Sequence, residues 1–205
     1  SHAFAMKSSL CLLDPRPDLP QIVRMVEHAF PLSEAASTPV MLQLRIRACH
    51  LQGSFTCSDN IAPAISARHL LAAPAPYDPA RMSHPPATFA HERLKVEQRL
   101  PAARRYIVEH GLNEIFSADA ADVGLVVQGG IYNSLMAALA IAGLVDENGA
   151  SRLPILVLNA TYPLVPEQLT DFCASKRAVP VLEEGHPEFI EFELTNSGGT
   201  AVSFN

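Results

Sequence analysis

A chain of 205 residues is long enough for one substantial core, or for one domain and part of another. Its formal charge of −6 and pI near 5.7 exclude nucleic acid as the expected partner, because phosphate neutralisation needs a clustered Lys/Arg surface. No run of ~18 apolar residues offers a membrane span, and 48% apolar with 18% charged residues is the balance of an ordinary globular protein.

Ser1 to Lys7 lack the long apolar run of a secretory signal. The four cysteines, Cys11, Cys49, Cys57 and Cys173, show no C-x-x-C spacing, so reduced thiols and a cytoplasmic location are the expectation.

The first element is a helix capped by Asp18, with Pro20 in its first turn and Ile22, Val23, Val26, Ala29 and Phe30 at helical spacing. Pro31 is expected to bend or end it, since proline lacks an N–H and clashes with the preceding turn. Val40 to Arg47 then reads as a strand that begins buried and ends exposed. One helix and one strand leave apolar faces without cover, so residues 1–57 read as the tail of a domain. Residues 58–98 form a connection punctuated by Pro63, Pro74, Pro76, Pro79, Pro85 and Pro86, with a short helical turn around 64–71.

Residues 99–205 are more regular. Ala102 to His110 is a helix and Ala121 to Val127 a buried strand closed by Gln128-Gly129-Gly130. Ile131 to Ile141 is an alanine-rich helix, Leu153 to Leu158 a second strand, Pro166 to about Lys176 a helix, and Val179 to Leu182 a third strand. Continuous apolar strands alternating with single helices predict a three-layer, doubly wound, mostly parallel α/β domain preceded by a partial α/β segment.

Three stretches carry a resemblance: residues 122–133 (DVGLVVQGGIYN), 158–166 (LNATYPLVP) and 181–189 (VLEEGHPEF). In this order and spacing they are similar to the transketolase-C-terminal-like domain of indolepyruvate:ferredoxin oxidoreductases, members of the 2-oxoacid:ferredoxin oxidoreductase family. Residues 29–34 (AFPLSE), Pro39-Val40 and 47–50 (RACH) resemble the end of that family's pyrimidine-binding domain. Thr195 to Asn205 departs from the further strand with which this domain type closes.

The resemblance implies oxidative decarboxylation of an aryl 2-oxoacid by thiamine diphosphate, with the acyl group passing to coenzyme A and electrons through iron–sulfur clusters to ferredoxin. It also implies a homodimer. No Gly-Asp-Gly for a magnesium diphosphate and no cysteine run for a cluster occurs in these residues, so the chain is expected to bind none of these cofactors and to be inactive alone. The competing readings are a free-standing α/β ligand-binding or interaction module, and a segment of another transketolase-superfamily oxidoreductase.

Candidate ligand or interdomain residues follow from strand ends. Gln128, Gly129 and Gly130 open a helix with unpaired N–H groups, suited to an anion or carboxylate, or else make a tight turn. Tyr132, Asn133, Thr161, Tyr162, Glu183 and Glu184 share the carboxyl edge of a parallel sheet, where ligands bind or neighbouring domains pack. Glu183 and Glu184, adjacent at a strand end, are expected to point to opposite sides. Arg47 and His50 suit a substrate carboxylate or phosphate, or a salt-bridged boundary. A zinc site from Cys49, His50, Cys57 and His69 has irregular spacing, and Arg93, Lys95, Arg99, Arg104 and Arg105 read as a solvated basic helix face.

Overall fold

The computed structural model describes residues 1–62, 78–79, 82, 84–118, 122–185, 188–196 and 201–202. The expected helical turn at 64–71 lies outside them. The chain opens with helix α1 (His2–Ser8) and strand β1 (Cys11–Leu13), neither of which the sequence announced. Helix α2 (Leu19–Ala36) is capped by Asp18, whose carboxylate accepts the N–H of Gln21 at 3.4 Å.

Of the two outcomes expected at Pro31, ending is corrected: α2 runs through it to Ala36. Pro31 lies on the exposed face, while Met25 and Leu32, both fully buried, hold the opposite face of the helix on either side of it. Tertiary burial of that stripe outweighs one lost backbone bond. The stripe is covered by helix α5 (Leu100–Glu109): Met25, Leu32 and Ala36 share a core with Ala103, Tyr106 and Ile107, and with Cys11, Leu13 and Ala160. The first segment therefore buries its apolar face against the following one.

The strand expected over Val40 to Arg47 is shorter. β2 (Val40–Leu42) pairs in parallel with β1, and the chain then turns into the short helix α3 (Ile46–Cys49). Arg45 ends the ladder because its side chain is drawn to Asp14 and its carbonyl accepts the N–H groups of Ala48 and Cys49. Downstream, the helical path begins at α4 (Ala87–Leu94), within the expected connection, and reaches α5 through one wide π turn (Lys95–Arg99).

The main sheet has five strands in the order β3 (Glu114–Phe116), β5 (Ile155–Leu158), β4 (Leu125–Gln128), β7 (Val179–Leu182) and β8 (Ala201–Val202). β4, β5 and β7 are parallel, as the alternating pattern predicted, with β3 antiparallel on one edge. Successive strand residues point to opposite faces. Leu125, Val127, Ile155 and Val157 meet Leu135 and Leu139 of α6 (Tyr132–Ile141). Val126, Leu156, Leu158 and Val179 meet Leu169 and Phe172 of α7 (Pro166–Cys173) with Ile190 and Leu194 of α8 (Phe189–Asn196). Helices on both faces make this an α/β fold of three layers.

After one residue, Asn159, β5 continues as β6 (Ala160–Tyr162), which pairs antiparallel with β1. The second sheet, β2-β1-β6, is thus tied covalently to the first. The C-terminal expectation is corrected: Thr195 belongs to α8, and β8 (Ala201–Val202) adds a short parallel strand beside Val179 and Pro180. Among the described residues no helix is long and apolar enough to cross a membrane.

Candidate functional site

The carboxyl end of β1 and the chain leaving β2 bring together two residues that sequence reading passed over. Asp14, 2% exposed, accepts Nη2 of Arg45 at 2.7 Å and its Nε at 3.3 Å. The same Nη2 donates to Oε1 of Gln128 at 2.8 Å, and Nη1 pairs with the carboxylate of Glu184. Oε1 of Gln128 also accepts the backbone N–H of Glu184 at 3.1 Å. One guanidinium thus joins β1, β4 and the turn after β7.

Burial pushes the Asp14 carboxyl above its ordinary range; the Arg45 hydrogen bond and charge, with a backbone N–H from Gly130, oppose that shift. The turn after β4 explains the glycines. A Cβ at Gly129 would overlap the Asp14 carbonyl, and one at Gly130 would overlap Nε of Arg45 and the Asp14 carboxylate. The place where an anion was expected is taken by the chain's own carboxylate.

Gln128, Thr161, Glu183 and Glu184 converge with Asp14 and Arg45 on a cleft of about 140 Å³. Glu183 and Glu184 do turn apart. Glu183 accepts the N–H groups of Phe189 at 3.0 Å and Ile190 at 2.9 Å, capping α8, while Glu184 reaches Arg45. Burial raises the Glu183 carboxyl above its usual range against those N–H groups. Thr161 is buried, and its hydroxyl has no hydrogen-bond partner among the described residues. Tyr162 lies at the margin, half-buried, edge-on to His2.

Tyr132 and Asn133 belong to an adjoining network. Asn133 donates to the Pro17 carbonyl at 3.1 Å, and the Tyr132 ring lies 5.4 Å from the Arg16 guanidinium. Arg16 makes paired 3.1 Å bonds to Glu114. Asn159, fully buried, ties this network together: it accepts the N–H of Arg16 at 2.8 Å and donates at 2.9 Å to Glu114 and to the Leu112 carbonyl. Arg47 and His50 stand apart on the surface, with Arg47 donating to Ser134 at 2.8 Å.

The cleft does not fit thiamine diphosphate. Small-molecule sites run to roughly 300–1,000 Å³, and the acidic groups that a magnesium diphosphate would require are already held by Arg45 and by backbone N–H groups. Cys11 and Cys173 are poor cluster ligands: Cys11 is packed in the core with its thiol pushed up to about 12, and burial raises the thiol of Cys173. Among the described residues no group of three or more His, Cys, Asp or Glu is placed to hold a metal; His69, whose spacing from Cys49, His50 and Cys57 is irregular, lies outside them.

Comparison with known proteins gives no matching family model. A curated relative, indolepyruvate oxidoreductase subunit IorA of Methanothermobacter thermautotrophicus, is 29% identical over 199 residues, 97% of this chain and 30% of the relative. Over nearly its whole length this chain is similar to that subunit. The same subunit of Methanothermobacter marburgensis is 28% identical over 182 residues, covering 88% of this chain and 27% of the relative. The chain therefore spans less than a third of the length of these relatives. A 2-oxoglutarate:ferredoxin oxidoreductase from Magnetococcus marinus superposes on 58% of the chain with a TM-score of 0.39 and 16% identity, too loosely to argue from.

Proposed function

We propose that this chain is one segment of a thiamine-diphosphate-dependent 2-oxoacid:ferredoxin oxidoreductase that decarboxylates an aryl 2-oxoacid such as indolepyruvate to an acyl-CoA, and that its share of the work is structural. The observation that supports the enzyme class is collinear similarity to the indolepyruvate subunit over 97% of the chain. The structural share is supported by the cleft at the carboxyl edge, whose charged groups are consumed by one another: Arg45 by Asp14 and Glu184, Glu183 by α8. A guanidinium bound by three side chains of its own chain orients chain segments rather than substrate.

In this reading the complete enzyme carries thiamine diphosphate, magnesium and iron–sulfur clusters outside this segment, uses coenzyme A and ferredoxin as partners, works in the cytoplasm as a homodimer, and is inert when reduced to these residues. The test is reduction of an artificial electron acceptor with indolepyruvate and coenzyme A. Activity in the longer polypeptide with its partner subunit, and none in the 205-residue chain, is expected; turnover by the chain alone would overturn the structural role.

A further inference from the structure

The basic run between residues 93 and 105 is sorted by the structure into two classes. Arg93 is bound by Glu97 at 3.1 Å, Lys95 by Glu92 at 2.7 Å, and Nε of Arg104 donates to the Leu164 carbonyl at 2.8 Å. The side chains of Arg99 and Arg105 have no ion pair or hydrogen bond among the described residues. Both line one groove of about 500 Å³ between the last turn of α2 and the π turn that enters α5.

The rest of the groove suits an anion. Its wall from the end of α2 is Ala35, Ala36 and the cap residue Ser37, and Ala102 continues it on α5, so small side chains leave the groove open beside the two arginines. Glu97, the acidic residue of the lining, is already held by Arg93. The negative end of α2 is blunted, since the Glu34 and Ser33 carbonyls accept the N–H groups of Ser37 at 3.3 Å and Thr38 at 3.2 Å. Wide π turns recur at functional sites because one extra residue redirects the side chains around it, and here Arg99 closes that turn. The volume lies in the range of small-molecule sites, roughly 300–1,000 Å³.

We propose that this groove binds a phosphate group carried by a small molecule, with Arg99 and Arg105 as its two anion-holding residues. A guanidinium group matches tetrahedral phosphate oxygens in geometry and charge, and two of them line this groove. A chain of formal charge −6 with a concave site suits a compact phosphate ester better than a nucleic-acid polymer. The proposal is independent of the oxidoreductase reading.

The test is calorimetric titration of the 205-residue chain with inorganic pyrophosphate, against sodium chloride at matched ionic strength. R99Q and R105Q are each expected to weaken binding by roughly tenfold. R177Q, which makes the same charge change at an exposed arginine outside the groove, should leave binding unchanged. Circular dichroism melting should show all three variants folded like the parent. Absence of pyrophosphate binding, or equal weakening by R177Q, would overturn the assignment.

Discussion

Replacing Arg45 with alanine removes the residue on which the cleft is organised. Asp14, 2% exposed, would lose both of its guanidinium bonds and keep the Gly130 N–H. Breaking a buried ion pair by deleting one partner costs about 3–5 kcal/mol, because the remaining charge stays desolvated. For a chain of this size each kcal/mol lowers Tm by roughly 2–4 °C, so R45A should melt about 6–20 °C below the parent. The loss should shrink in acid, where the uncompensated Asp14 takes up a proton and ceases to be a buried charge. The double variant R45M/D14L should be more stable than R45M alone, since an apolar pair leaves nothing unpaired. Urea unfolding of R45A and of the four species of that cycle at pH 7 and pH 5 measures each term. A cost for R45A below about 1 kcal/mol would refute the reasoning, since that is what an exposed surface pair contributes.

Asn159→Ala should cost about 2–3 kcal/mol in the same assay, because it strips three hydrogen bonds from a fully buried position and leaves the Leu112 carbonyl and Arg16 N–H unmatched. His28, whose pKa is lowered by burial and by Arg24 and His110, sits 2.9 Å from the Tyr106 hydroxyl. Its folded pKa lies below its unfolded value near 6.5, so its contribution is present above that value and lost as pH falls through the folded pKa. His28→Gln should therefore flatten the fall in urea midpoint below pH 6.5; an unchanged pH slope would contradict this. Iodoacetamide labelling read by mass spectrometry should modify exposed Cys49 and Cys57 promptly, and buried Cys11, with its thiol near 12, only on unfolding.

The parts of the fold legible in sequence were those that bury a continuous stripe. Leu125 to Gln128, Ile155 to Leu158 and Val179 to Leu182 are runs whose alternate residues feed two different cores, and their parallel order follows from the intervening helices. β1 and β3, at three residues each, are too short to show a period, and their pairing depends on partners distant in sequence. Pro31 misled because its local cost is real but is borne on an exposed face opposite Met25 and Leu32. Strand-end reasoning brought out Gln128, Thr161, Glu183 and Glu184, which do share a cleft. It missed Asp14 and Arg45 because each looks ordinary beside its own strand; only the β1–β2 register faces them to each other. Cys11-Leu12-Leu13 followed by Asp14 is the one signal available, a buried strand ending in an acid at the carboxyl edge.

The most direct measurement is calorimetric titration with magnesium and thiamine diphosphate, using the R99Q/R105Q variant so that the basic groove makes no contribution. No magnesium-dependent heat is expected, because the cleft at Asp14 and Arg45 is small and internally neutralised. Stoichiometric, magnesium-dependent binding would contradict the structural role and place the cofactor site within this chain.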